Sequence, residues 1–349
     1  MSTQQPRAER RDMFEQAERV HALSISYHDL CSSDTSRPVL EQGLGKDGLG
    51  IVSVTDIPGF RELRKRLLPL AATLARMPEE IQRTWEDPES MYNVGWSCGK
   101  EWLGGDNAST RVLDDKKGSW YANPLHDVTT EDPELLKQYP SYTRPNIWPR
   151  DSVPELEMAF KELGRLMYDV GMKLLHACCG DDTIPLAASE STCAKGRLLC
   201  YLPRDGGGST STMWCGWHKD HGSITALCPA YYMDSRDESS LEIECPDPHA
   251  GLYVQTRHGK VVKVVLDRDA LAFQVGEALQ ALTCGRLQAT PHCVVASTDQ
   301  CVTRCTCALF MQPHWDQVLD STDTSIEHWH PGITFGEFSR AKFQTYYEL

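Results

Sequence analysis

The feature that most constrains this chain is a change of texture near residue 185. Beyond it lie short apolar runs at 196–201, 223–227, 242–244, 251–255, 261–266, 270–275, 293–296 and 303–311, parted by clusters of Gly, Pro, Asp and Ser. Runs this short are poor helices, and turn residues between them fold each strand back on its neighbours. The pattern therefore predicts a β-sandwich or barrel. Upstream the texture is mixed. Residues 12–24 read as a short helix and 21–30 and 49–54 as strands, while 59–76 carries leucines at 63, 67, 68, 70 and 74, one face of an amphipathic helix. A further helical turn opens at 79–80. Residues 86–150, rich in Gly, Pro, Asn, Asp and Trp, suit an irregular segment lying over a core. The strongest helix is 153–179, with Pro154 near its start and Gly180 past its end. The tail closes in a helical stretch at 335–347. With 349 residues, 40% hydrophobic and 24% charged, the chain can bury one large core. The organisation expected is an N-terminal helical and mixed region over 1–184, a β core over 185–315 and a C-terminal helical tail over 316–349, all one catalytic unit. The Gly206-Gly207-Gly208 run lacks the lysine and helix of a phosphate loop and reads as a flexible turn.

Within the β region stands Trp217-His218-Lys219-Asp220-His221-Gly222. Residues two apart on a strand point the same way, so His218 and Asp220 can reach one metal ion. Two imidazoles and one carboxylate covering one face of an octahedron make the facial triad of non-haem iron oxygenases. Alone, His-x-Asp carries little weight, since a chain with twelve histidines yields on the order of one such pair by chance. The weight comes from order. About 70 residues on, His292 opens an apolar strand, and twelve positions later Arg304-Cys305-Thr306 enters the last long run. A guanidinium and a hydroxyl on one side of a strand suit a carboxylate bound by charge-assisted, bidentate hydrogen bonds.

This order resembles the iron(II)/2-oxoglutarate-dependent oxygenase superfamily, in the branch of isopenicillin N synthase and the plant-type dioxygenases. Further segments carry the resemblance: DGLGIVSVTDIP at 47–58, the stretch 74–80, RPNIWP at 144–149, RLLCYLP at 197–203, GLYVQ at 251–255, FQVGE at 273–277 and the approach to the second histidine at 283–292. Together they run in order from about residue 20 to about residue 340. The resemblance implies a double-stranded β-helix, or jelly roll, with flanking α-helices. It implies Fe(II) held by His218, Asp220 and His292, and 2-oxoglutarate held by Arg304 and Thr306 with Tyr201 at the same end. With O2 as oxidant, the expected reaction is hydroxylation, desaturation or oxidative ring closure of a small metabolite. The chain departs from the family pattern at Leu199, Cys293 and Thr306, where Asn, Arg and Ser are usual, and the gap from His292 to Arg304 is slightly long. An oxidase of the isopenicillin N synthase type without 2-oxoglutarate, a non-catalytic binder on the same scaffold and a zinc hydrolase stay open beside it.

Trp217 and Phe310, neighbours of the ligand and anchor residues, and Arg286, in the turn before His292, are candidate substrate contacts. Tyr92, Trp96, Trp102, Trp120 and Tyr121 are candidates for a lid over the pocket mouth. His221 is expected to face away from the metal, and His328 and His330 to lie on the surface. The formal net charge of −14 disfavours nucleic acid, whose phosphates an acidic surface repels, but leaves room for a small anionic substrate in a locally positive pocket. No window approaches the roughly 18 apolar residues that span a bilayer, and the polar start carries no signal core, so a cytoplasmic monomer without membrane partners is expected. Asn107-Ala108-Ser109 is then an idle sequon. The fourteen cysteines form no CxxC pair and read as reduced, buried thiols.

Overall fold

Two β-sheets face one another across a shared interior. The computed structural model describes residues 12–103, 112–179, 192–203, 213–237 and 239–346. In the larger, nine-stranded sheet the order is β2 (Leu23–Ser26), β3 (Ile51–Thr55), β14 (Leu271–Val275), β10 (Ile224–Leu227), β16 (Val302–Met311), β8 (Lys195–Tyr201), β7 (Lys117–Ala122) and β4 (Gly95–Cys98), with β11 (Tyr231–Asp234) paired to β16. The smaller sheet runs β1 (Glu18–His21), β13 (Val261–Val265), β12 (Gly251–Gln255), β15 (His292–Val295) and β9 (Met213–His218). Separately, β5 (Trp102–Leu103) pairs antiparallel with β6 (Val112–Leu113). This is the sandwich that the run of short strands predicts, and the jelly roll that the resemblance implies.

The inner faces meet in one apolar cluster. Ile51, Leu199, Tyr201 and Ala272 from the larger sheet pack on Trp214, Leu252, Val254, Val262 and Val294 from the smaller. The outer face of the larger sheet is covered by α1 (Ser33–Leu44), α2 (Phe60–Ala75) and α3 (Leu156–Cys179). α3 buries Leu156, Ala159, Phe160, Leu163, Met167, Val170 and Leu174, a stripe at three- and four-residue spacing. A short helix, α4 (Glu277–Leu282), follows β14, and the closing α5 (Phe335–Tyr346) packs Phe335 and Phe338 beside Tyr142 and Trp315. Among the described residues no helix is long and apolar enough to cross a membrane.

Several local expectations give way. The helix expected over 12–24 stops early, and Glu18–His21 is a strand running parallel to β13. The strand expected over 21–30 ends at Ser26, whose hydroxyl accepts from the Asp29 amide and caps a helix. Residues 242–244 contribute one bridge, Ile243 to Tyr232, rather than a strand. The segment 86–150, expected to be irregular, supplies β4 and β7, and with them Trp96 and Trp120 enter the core instead of covering a pocket mouth. The Trp102 side chain, the sequon at 107–109 and the glycine run at 206–208 lie outside the described residues. All fourteen cysteines are free; eight are buried, and Cys31 and Cys284 alone are exposed.

Candidate metal centre and carboxylate anchor

His218 and His292 face each other directly, because their strands pair in that register. Their rings lie 4.2 Å apart between centroids. β9 reaches this point through two register shifts against β15, so side chains along it do not simply alternate. Trp214 and Cys215 both pack on the interior cluster, whereas Trp217 turns outward and stacks on Phe14.

The strand ends at His218. Asp220 is brought alongside by the turn that follows, not by strand alternation. Its carbonyl accepts from the Glu277 amide at the start of α4 (2.8 Å), and its carboxylate accepts from the Thr225 hydroxyl (2.6 Å). That turn is tight. A Cβ on Gly276 would lie 2.1 Å from the Gly222 carbonyl oxygen, so only glycine lets α4 close on it.

The carboxylate Oδ1 of Asp220 is 3.6 Å from His218 Nε2 and 3.8 Å from His292 Nε2. One ligand atom from each residue lies within 4.8 Å of the others, the one such group of His, Cys, Asp and Glu found among the described residues that could hold an ion. Each imidazole turns its other nitrogen to a backbone carbonyl: His218 Nδ1 to Gly216 at 2.8 Å, and His292 Nδ1 to Thr290 at 3.1 Å. With Nδ1–H donating to the carbonyl, the Nε2 lone pair faces the shared space, as a metal ligand requires.

The three side chains set one another's charge, and a metal ion would have to displace the proton that these neighbours favour on His218. Burial, reinforced by the charge of His218, pulls His292 down to about 4. For His218 burial opposes the proton, but Cys215 and Asp220 outweigh it and lift the ring to about 9. Asp220 stays below the usual carboxylate range despite its burial, because both histidines and Thr225 favour the anion.

On the facing sheet, Arg304 and Thr306 point inward from β16, with Cys305 and Cys307 in the outer core beneath the helices. Arg304 is 4% exposed, and its Nε and Nη1 find no hydrogen-bond partner among the described residues. Tyr201 and Tyr232 stand opposite it on β8 and β11, and Tyr201 lies under the guanidinium at 5.1 Å. Burial pushes both phenols up to about 12, so both remain neutral. The Thr306 hydroxyl donates to the Cys228 carbonyl at 2.7 Å. To serve an anion as donor, it must turn from that carbonyl.

The loop carrying Cys228 is itself pinned. Arg64, fully buried on α2, donates to the carbonyls of Pro229 (3.1 Å) and Ala230 (2.7 Å) and pairs with Glu242 at 2.7 Å. An N-terminal helix thereby fixes the segment between β10 and β11, which presents the Thr306 acceptor and leads into Tyr232 on β11.

Two sequence candidates stand apart from this site. Trp217 is on the outer side of its sheet, one residue from inward-facing His218. Arg286 donates to the Cys178 carbonyl at the end of α3 (2.8 Å) and lies 3.6 Å from Glu41 on α1. Phe310 remains, on the inner face and partly open. His221 lies under α5, 3.1 Å from Ser339 Oγ and stacked on Phe335, while His328 and His330 are exposed. Sequence reasoning missed Thr225 and Tyr232. Neither belongs to a motif, and only the strand alternation of Tyr231–Asp234 could have marked Tyr232.

Residues 198–313 match the model of the 2OG-Fe(II) oxygenase superfamily. That segment contains the triad, Arg304, Thr306 and both tyrosines. The "Probable 2-oxoglutarate-dependent dioxygenase AOP1" of Arabidopsis thaliana is 32% identical over 98 residues, 28% of this chain and 32% of that protein. The match thus spans about a third of the length of this curated relative. A full-length Neurospora crassa protein, solved in complex with alpha-KG, superposes with a TM-score of 0.65 at 19% identity, over 92% of this chain and 95% of that one. JOX2, solved with 2OG, Fe and JA, gives 0.63 at 17% identity, over 93% and 86%. At such identities these structures share the fold.

Proposed function

We propose, from the match of residues 198–313 to the 2OG-Fe(II) oxygenase superfamily model and the site that segment carries, that this chain is an iron(II)- and 2-oxoglutarate-dependent dioxygenase acting on a small metabolite. His218, Asp220 and His292 hold Fe(II). Arg304 binds the distal carboxylate of 2-oxoglutarate, with Tyr201 and Tyr232 walling the same end. The observation that carries this reading is the buried Arg304 guanidinium, with two unspent N–H donors on the inner wall of the sandwich that also holds the triad. A buried cation with open donors is costly unless an anion completes it. When bound, the iron with O2 and 2-oxoglutarate supplies the oxidising power to break a C–H bond of the substrate. The protein supplies position. Asp220 and the two imidazoles would leave one face of the ion open, Arg304 would fix the co-substrate, and burial between the two sheets would limit bulk water. Whether hydroxylation, desaturation or ring closure follows depends on where the substrate carbon is held.

The test is succinate formation. Purified protein should release succinate from 2-oxoglutarate only with Fe(II) and O2 present, and faster when substrate is added. Oxygen uptake with substrate but without 2-oxoglutarate would overturn the reading in favour of a four-electron oxidase.

A further inference from the structure

Lys195 opens β8, one residue before the run that the sequence marks as a strand. Its direction is settled by its neighbours. Gly196 faces the helices, where an added Cβ would lie 2.6 Å from the Phe160 ring. Lys195 therefore points the other way, into the interior between the sheets, on the side shared by Arg197, Leu199 and Tyr201. Across the sheet it pairs with Phe310, and Phe310 pairs with Thr225, which holds the Asp220 carboxylate. Neighbouring strands are about 4.8 Å apart, so the Lys195 backbone sits roughly 10 Å across the sheet from Thr225, and its side chain covers much of that gap.

Lys195 is 6% exposed and makes no hydrogen bond or ion pair among the described residues. Asp87 and Cys193 favour its charge without bonding it, and Asp87 is held by Arg144 at 2.9 Å. The next inward cation, Arg197, is 2.6 Å from Glu101, as Lys117 is at 2.7 Å. Lys195 alone of these three has no acid against it. Burial pulls its ammonium down to about 8, the mark of a cation short of a counter-charge. It cannot serve the same molecule end as Arg304. The two stand six residues apart along neighbouring strands, about 20 Å at 3.4 Å per residue, far more than a five-carbon dicarboxylate spans.

We infer that Lys195 is the anion-recognition residue of the substrate pocket, and that the substrate is a small organic carboxylate whose carboxylate docks on Lys195 while Phe310 packs its apolar body toward the metal ligands. This rests on the dioxygenase reading for the site's chemistry, but the lysine and its place in the interior stand without it. A single buried ammonium suits a monoanion of modest size, and an uncharged analogue would leave it unpaired.

The test uses the full chain with Fe(II) under argon, with and without 2-oxoglutarate, titrated calorimetrically with hexanoate, phenylacetate and 4-phenylbutyrate, each against its primary amide. At least one acid should bind ten or more times tighter than its amide. Lys195→Met should erase that preference, Lys195→Arg should keep it, and 2-oxoglutarate affinity should be the same in all three proteins. Removing a mostly buried charge should leave the melting temperature of Lys195→Met no lower than the parent's. Should Lys195→Met fail to fold, Lys195→Gln carries the same comparison. The inference is overturned if no acid outbinds its amide, if the preference survives loss of the lysine, or if the lysine variant loses 2-oxoglutarate instead. Failure of the wild type to bind 2-oxoglutarate would sink the dioxygenase reading and leave the acid–amide comparison on Fe(II) alone to judge Lys195.

Discussion

Asp220→Ala is expected to abolish metal binding and turnover while leaving the fold in place. On the proposed reading Asp220 contributes the one anionic ligand, and without it two imidazoles offer a divalent ion no charge. Loss of a residue that merely orients a ligand typically costs about 10–100-fold in affinity, so loss of the ligand itself should exceed about 100-fold. The fold should survive because the turn is also fastened through the backbone: the Glu277 amide bonds the Asp220 carbonyl, not its carboxylate. The cost in stability is the Thr225 hydroxyl left without its acceptor, about 1–3 kcal/mol. Iron content after dialysis, read beside a melting curve, checks both halves. His292→Ala should behave alike. A variant that retains stoichiometric iron would show that the metal is held elsewhere.

Arg304→Met is expected to separate co-substrate affinity from stability. Truncating one partner of a buried, hydrogen-bonded charge pair costs about 2–5 kcal/mol, roughly 30-fold to several thousandfold in affinity. The 2-oxoglutarate dissociation constant should rise by that factor, with Fe(II) affinity unchanged. The metal- and ligand-free protein should be as stable as the parent or more so, because the substitution removes a guanidinium with two unspent donors and keeps an apolar chain of similar length. A fall in melting temperature together with unchanged 2-oxoglutarate binding would mean that Arg304 is a structural cation.

Much of this fold could be read from the chain because its strands are short, apolar and fenced by turn residues. Of the eight runs expected beyond residue 185, seven are strands. What escaped did so for physical reasons. β7 reads Lys-Gly-Ser-Trp-Tyr-Ala, and its inward residues Lys117 and Ser119 line a polar chamber, so hydrophobic patterning is silent although the whole strand is buried. Glu18–His21 has helix-forming neighbours, and edge pairing with β13 overrides them. The site shows the same division. The order His218, Asp220, His292, Arg304 was legible from residue type and spacing, and His292 and Arg304 also sit at or near the start of strands the sequence marks. The reason Asp220 converges was not legible, since it lies in a turn closed by Gly276 and α4. Tyr232 and Thr225 belong to no motif and come to the site only through pairing with β16 and the reach of Asp220. Trp217 misled because being next to His218 in sequence puts it on the opposite face of the strand.

The fourteen free cysteines give the molecule a stopwatch. Eight are sealed in the core, and only Cys31 and Cys284 lie open to solvent. In the folded protein a thiol reagent should modify those two quickly and the four half-buried ones more slowly. The sealed eight, among them Cys200, Cys305 and Cys307 behind the Arg304 wall, should react only as fast as the sandwich opens. Mass spectrometry of a timed alkylation would therefore report the opening rate of the barrel cysteine by cysteine, with no label added, and would register iron or 2-oxoglutarate binding as a slowing of the last class.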